Sequence, residues 1–152
     1  MFVRLIAFLL INFFALYLGQ LFTDGGVVSS WYSNLNKAPW TPPGWVFGFS
    51  WTTIMLCFSF FMAYAMDLVK DQRRLFLIFS IQFLFNVGWN PTFFYFNNIL
   101  AGLIIILLLT ALVVYMLMAY KKELGNKVLL LLPYIIWLII ATSLNAYALV
   151  AN

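Results

Sequence analysis

Residues 99–120 read ILAGLIIILLLTALVVYMLMAY, twenty-two positions without one charged side chain. At a rise of about 1.5 Å per residue, a helix of this length covers roughly 30 Å, the hydrocarbon thickness of a bilayer. Four further runs of the same kind lie on either side, at 2–22, 46–66, 75–95 and 128–150, each 21 to 23 residues long. The runs are continuously apolar, whereas membrane strands alternate outward apolar with inward polar residues over about ten positions. Helices follow, and the expected fold is an all-α integral membrane protein, a five-transmembrane-helix bundle. The 44 residues outside the runs are divided among connectors and ends, too scattered for a second core, so 1–152 reads as a single domain.

Composition agrees. Of the 152 residues 66% are hydrophobic and 8% charged, too few polar groups to cover a body of this size in water and too apolar for disorder. Cys57 is the lone cysteine and reads as a small hydrophobe. There is no histidine, and the acids Asp24, Asp67, Asp71 and Glu123 have no soft ligand beside them, so no metal is expected. With five crossings the N-terminus shares a side with the second and fourth connectors. That side carries Arg4, Lys70, Arg73, Arg74, Lys121, Lys122 and Lys127, against only Lys37 opposite. The positive-inside rule then predicts a cytoplasmic N-terminus, with the first loop and the C-terminus on the far side. The net charge of +4 reflects this topology and the lipid bilayer, and calls for no nucleic acid. The first run lacks a small-residue cleavage site, since residues 15–19 read ALYLG, and is expected to be retained.

The spans lack what charge-moving proteins keep inside them. Arg4, at the edge of the first run, is the one charge within a span, which disfavours proton-coupled pumps and charged-ring channels. Acid–base and triad catalysis lack an imidazole or a buried carboxylate. The spans offer aromatic surface instead, drawn from 17 Phe, 8 Tyr and 6 Trp, together with a few amides. Asn86 falls near mid-bilayer, where an unpaired amide costs several kcal/mol, so it should face other helices or a ligand. Trp89, Asn90 and Phe93 follow it at helical spacing on one face, and Pro91 removes a backbone donor beside Val87, which should bend the helix. In the last span Tyr134, Trp137, Ala141 and Leu144 share a stripe with Asn145 adjacent, and Trp51 lies deeper than interfacial anchors usually do. These aromatics and amides at one depth read as a mostly apolar pocket for a flat ligand. The plainer alternatives are interfacial anchoring for Trp31, Trp40 and Trp45 and interhelical hydrogen bonding for Asn145.

The loop 23–45 ends in WYSNLNKAPWTPPGW at 31–45, where Pro39, Pro42 and Pro43 restrict the backbone and four large aromatics can pack over the bundle mouth as a lid. Thr41 is expected to cap the second long helix, with Pro42 and Pro43 in its first turn.

These motifs resemble the translocator protein (TspO/MBR) family, also called peripheral-type benzodiazepine receptors. Trp31-Tyr32, Leu35, Lys37, Trp40-Thr41-Pro42-Pro43, Phe47 and Trp51 are similar to its loop-to-helix signature. Asn86, Trp89, Phe93 and Phe94 resemble its third-span motif, and Pro133-Tyr134, Trp137, Ala141, Leu144 and Asn145 its fifth. The resemblance implies a membrane translocator or sensor that binds porphyrins (tetrapyrroles), sterols or benzodiazepine-type drugs in a pocket beneath the loop, often as a homodimer. The implied ligand-binding residues are Tyr32, Phe47, Trp51, Asn86, Trp89, Asn90, Phe93, Trp137, Ala141 and Leu144. Porphyrin would be ligand or substrate, with no separate cofactor. Two further functions stay open. One is light-dependent porphyrin degradation with Trp51 and Trp137 as reactive partners, and the other is a stress-response membrane scaffold. The sequence departs from the family in Lys37-Ala38-Pro39, where proline commonly follows the lysine directly. It also lacks a basic residue after Tyr147 for a sterol-contact pattern, and has Leu77 and Ile81 where some members pair through small residues.

Overall fold

The computed structural model describes residues 1–21 and 26–152. Asp24, the last position of the first expected span and the opening of the loop 23–45 lie outside the described residues. The long helices are α1 (Phe2–Leu21), α3 (Gly44–Leu68), α4 (Gln72–Asn90), α5 (Ile99–Leu124) and α6 (Leu132–Ala151), with a short α2 (Ser30–Asn34) in the first loop. Among the described residues there is no strand. The protein is an all-α, five-helix membrane bundle.

Three helical stretches are long and apolar enough to cross a membrane: one opening at Phe2, Gly44–Leu68, and Ile99–Ala151. The last folds back on itself through a tight 3₁₀ segment, Gly125–Leu131, whose Gly125 has φ 55°, a left-handed value that glycine adopts without a Cβ penalty. It therefore supplies two antiparallel legs. Helix α4 is less apolar because Gln72, Arg73, Arg74, Gln82, Asn86 and Asn90 all belong to it. Its buried Gln82 and Asn86 are turned into the bundle, where partners await them. Packing runs in a closed ring, α1–α3–α6–α5–α4 and back to α1.

One end of the ring is charged. The Arg4 guanidinium pairs with Asp67, which also meets the N-terminal amine at 3.8 Å. The Lys70 backbone N–H donates to Glu123 at 3.1 Å, and the Asp71 carboxylate caps α4 by accepting from the Arg74 N–H at 3.0 Å. Arg74 also contacts the Tyr115 hydroxyl, and the Lys127 ammonium lies over the Tyr64 ring, 5.3 Å from its centre. Behind this end the bundle is solid. Phe58 packs on Phe61, Phe79 and Tyr134 with ring centres 5.7 to 6.1 Å apart, and Phe58, Phe61, Met55, Met62 and Leu138 are fully buried.

The other end carries the cap. Ser29 accepts the Tyr32 N–H at 3.2 Å to start α2, and the Lys37 ammonium closes its far end on the Tyr32 and Ser33 carbonyls. The cap is tied to α6 by Asn36, whose backbone N–H donates to Asn152 Oδ1 at 2.9 Å and whose amide donates to the Ala151 carbonyl at 3.0 Å. Trp40 Nε1 adds a bond to Ser143 Oγ at 3.1 Å. One local expectation fails. Thr41 does not cap α3, because its hydroxyl and N–H both bond the Ala38 carbonyl in a turn, at 2.7 and 2.9 Å. Pro42 and Pro43 accordingly precede the helix, which begins at Gly44. At Pro91 the regular turns of α4 end. The chain widens into a π-turn, Pro91–Tyr95, with the Phe96 N–H reaching the Pro91 carbonyl at 2.9 Å.

Candidate functional site

Between the solid half and the cap the five long helices enclose a cavity of about 350 Å³. Its aromatic walls are Phe47 and Trp51 from α3, Trp89 from α4, Phe94 from the π-turn and Trp137 from α6. Asn86 and Asn90 supply amides, Ala141 and Ile106 add apolar wall, and Gly26 and Val27 of the first loop line it as well. Among the described residues none that lines it is charged.

The floor is a hydrogen-bonded chain. Gln82 and Asn86 stand one turn apart on α4 and both meet the fully buried Tyr134 of α6. Gln82 Nε2 donates to the Tyr134 hydroxyl at 2.9 Å, and that hydroxyl donates to Asn86 Oδ1 at 3.2 Å. This resolves the cost of a mid-bilayer amide and fixes which side of Asn86 is committed: its oxygen is held, so its NH₂ is what it can offer a ligand. Trp51 packs edge-on against Tyr134 with ring centres 6.1 Å apart, and Phe47 edge-on against Trp137 at 5.2 Å.

A second space, about 30 Å³, lies directly under the cap. Tyr32, Phe93 and Leu144 line this one and not the larger cavity, while Phe47, Trp89, Phe94 and Ala141 belong to both and form the partition. The ten residues expected at the site therefore gather in one region but divide between two spaces. Trp89 and Phe93 stack with planes 12° apart, and Tyr32 leans on Phe93 and Phe94, so the cap seats on the α4 end through rings. Burial pushes the Tyr32 phenol above its ordinary pKa. Asn145 was expected near the stripe of α6. It is buried under Gly102 and Phe93, and among the described residues neither of its amide atoms has a hydrogen-bond partner. Interhelical hydrogen bonding, the plainer reading of Asn145, is not seen among the described residues.

Sequence reasoning missed the contribution of α1. Ala15, Leu16 and Gln20 line the cavity, and Gly19 lets α1 approach so closely that a Cβ there would lie 2.6 Å from Asn90 Nδ2. Gly48 and Thr52 of α3 were also missed. A signal existed for two other polar groups: Asn12 and Gln82 sit inside apolar runs as Asn86 does, and both are buried and bonded, Asn12 to Ser59 Oγ at 2.8 Å.

The TspO/MBR family model matches residues 7–150. A tryptophan-rich protein TspO of Chlorobaculum tepidum is 32% identical over 77% of this chain and 77% of its own. A tryptophan-rich sensory protein of Cereibacter sphaeroides is 30% identical over 80% and 77% respectively. A translocator protein of Ovis aries is 26% identical over 76% and 70%.

Proposed function

The chain belongs to the TspO/MBR family of membrane sensory and translocator proteins, and on that premise we propose that it binds a porphyrin or a related planar hydrophobic molecule, such as a sterol or benzodiazepine-type drug, within the helix bundle. The observation that carries this reading is the cavity of about 350 Å³ walled by Trp51, Trp89, Trp137, Phe47 and Phe94, with no charge among its described lining residues. Flat aromatic ligands gain from apolar burial and from edge or face contact with rings, at about 0.5–1.5 kcal/mol per pair beyond area. The NH₂ group of Asn86 supplies an orienting donor. The indole N–H groups of Trp89 and Trp137 are buried without a partner among the described residues, so a ligand acceptor reaching them would relieve unpaired donors.

The cavity stands at the small end of the roughly 300–1,000 Å³ range of ligand pockets. A full tetrapyrrole therefore calls for the partition of Phe47, Trp89 and Phe94 to move and join the space beneath Tyr32. The charged end, with Arg4 and the cations near Lys70 and Lys121, is assigned to the cytoplasmic side on the positive-inside rule.

Titrating the purified protein with protoporphyrin, in the dark and under light, tests the reading. Saturable quenching of tryptophan fluorescence without loss of the porphyrin band is the expected result. Bleaching in light that disappears in Trp51→Phe or Trp137→Phe would assign porphyrin breakdown instead, and absence of saturable quenching would exclude both.

A further inference from the structure

We infer that the cavity is loaded sideways from the bilayer, through a window between α1 and α3, so that its ligand is a molecule already dissolved in lipid. This rests on the reading of the cavity as a binding site. The seam between these two helices is closed from the charged end upward by Arg4 with Asp67 and the Met66 carbonyl, and then by Asn12 with Ser59. Above Asn12 and Ser59 it parts. Leu16 and Gln20 on one helix, Gly26 and Val27 beyond it, and Gly48 and Thr52 on the other helix line the cavity, and Gln20, Gly48 and Thr52 are at the same time exposed. The exposure of three lining residues on two adjacent helices is what an opening between those helices would produce.

The rim suits lipid. Gly48 has no side chain, and a Cβ built there meets nothing within 4 Å. The Thr52 hydroxyl is spent on the Gly48 carbonyl of its own helix at 2.8 Å, so its hydrogen-bonding proton is satisfied without water. Gly48 and Thr52 lie roughly one and two turns into α3, or about 6–12 Å below its start, a depth inside the bilayer. Trp45 and Phe49, 71% and 65% exposed on the same stretch of α3, hold that depth against the acyl chains. On its α6 side the cap is tied down instead, with Asn36 bonded to Asn152 and Ala151 and Trp40 to Ser143.

Stopped-flow quenching by protoporphyrin, with the protein in lipid nanodiscs, separates the side window from entry beneath the cap. Gly48→Phe and Thr52→Phe put a ring across the window, and each is expected to slow uptake about tenfold or more. A disulfide between Asn36→Cys and Asn152→Cys, made in a Cys57→Ala background, locks the cap, and oxidising it is expected to leave the uptake rate within about twofold. A locked cap that slows uptake tenfold would overturn the route, as would two window variants, helical by circular dichroism, that load at the wild-type rate. Wild-type protein that shows no saturable quenching would overturn the binding reading itself, and that failure is distinct because it appears before any variant is made.

Discussion

Asn86 shows how much one amide can decide. Placed near mid-bilayer it must be paired, and the Tyr134 hydroxyl does so while also accepting from Gln82. Removing that hydroxyl leaves a buried donor and acceptor facing each other across an apolar gap. Tyr134→Phe is expected to cost about 1 kcal/mol, the scale of interhelical hydrogen bonds in membranes, read as a lower midpoint in thermal or denaturant unfolding. Trp51 touches the floor and the cavity together, and Trp51→Ala should weaken porphyrin affinity by about three- to tenfold, the loss of one aromatic contact, measured by titration monitored on the porphyrin band. Tyr32 has a pKa raised by burial, so its neutral phenol is favoured in the folded protein. Its contribution is fully present below the unfolded value of about 10 and is lost as pH rises through the higher folded value. Thermal stability should therefore fall in that alkaline window, and less so in Tyr32→Phe.

At the level of elements, the places where helices touch most closely are set by glycine. A Cβ at Gly102 would meet Phe93 Cδ2 at 3.1 Å, Asn145 Nδ2 at 3.2 Å and Phe93 Cβ at 3.3 Å, two side chains packed from different helices. Gly102→Ala should therefore overpack the α4–α5–α6 junction by about 1–3 kcal/mol, seen as a reduced unfolding midpoint with unchanged helix content. What sequence could read at this scale was the existence of each long helix, because an uninterrupted apolar run has one solution in lipid. What it could not read was the chemistry at helix ends. Thr41 had the right residue type for a cap but was claimed by the Ala38 carbonyl, and Pro91 was absorbed by a π-turn whose wider spacing needs no donor from that position. Both outcomes depend on neighbours that lie outside a local pattern.

Across the whole molecule the bundle is divided into a solid half around Phe58, Phe61 and Tyr134 and a hollow half beneath the cap. The depth of Trp51, Asn86 and Trp137 made the hollow legible, since polar and aromatic groups at one level on three spans have to meet. The share of α1 was not legible, because Ala15, Leu16 and Gly19 look like ordinary span residues until a neighbour is laid against them. The division into two spaces was equally hidden, as it turns on how Phe47, Trp89, Phe94 and Ala141 meet across the bundle. The most direct test is a titration with protoporphyrin followed by NMR on the side-chain amides of Asn86 and Asn90 and the indole N–H groups of Trp51, Trp89 and Trp137. Ring-current shifts that saturate at these groups, while Asn12 and the outward-facing Trp45 stay fixed, are the predicted result; shifts confined to Trp45 with the inner groups unmoved would contradict it.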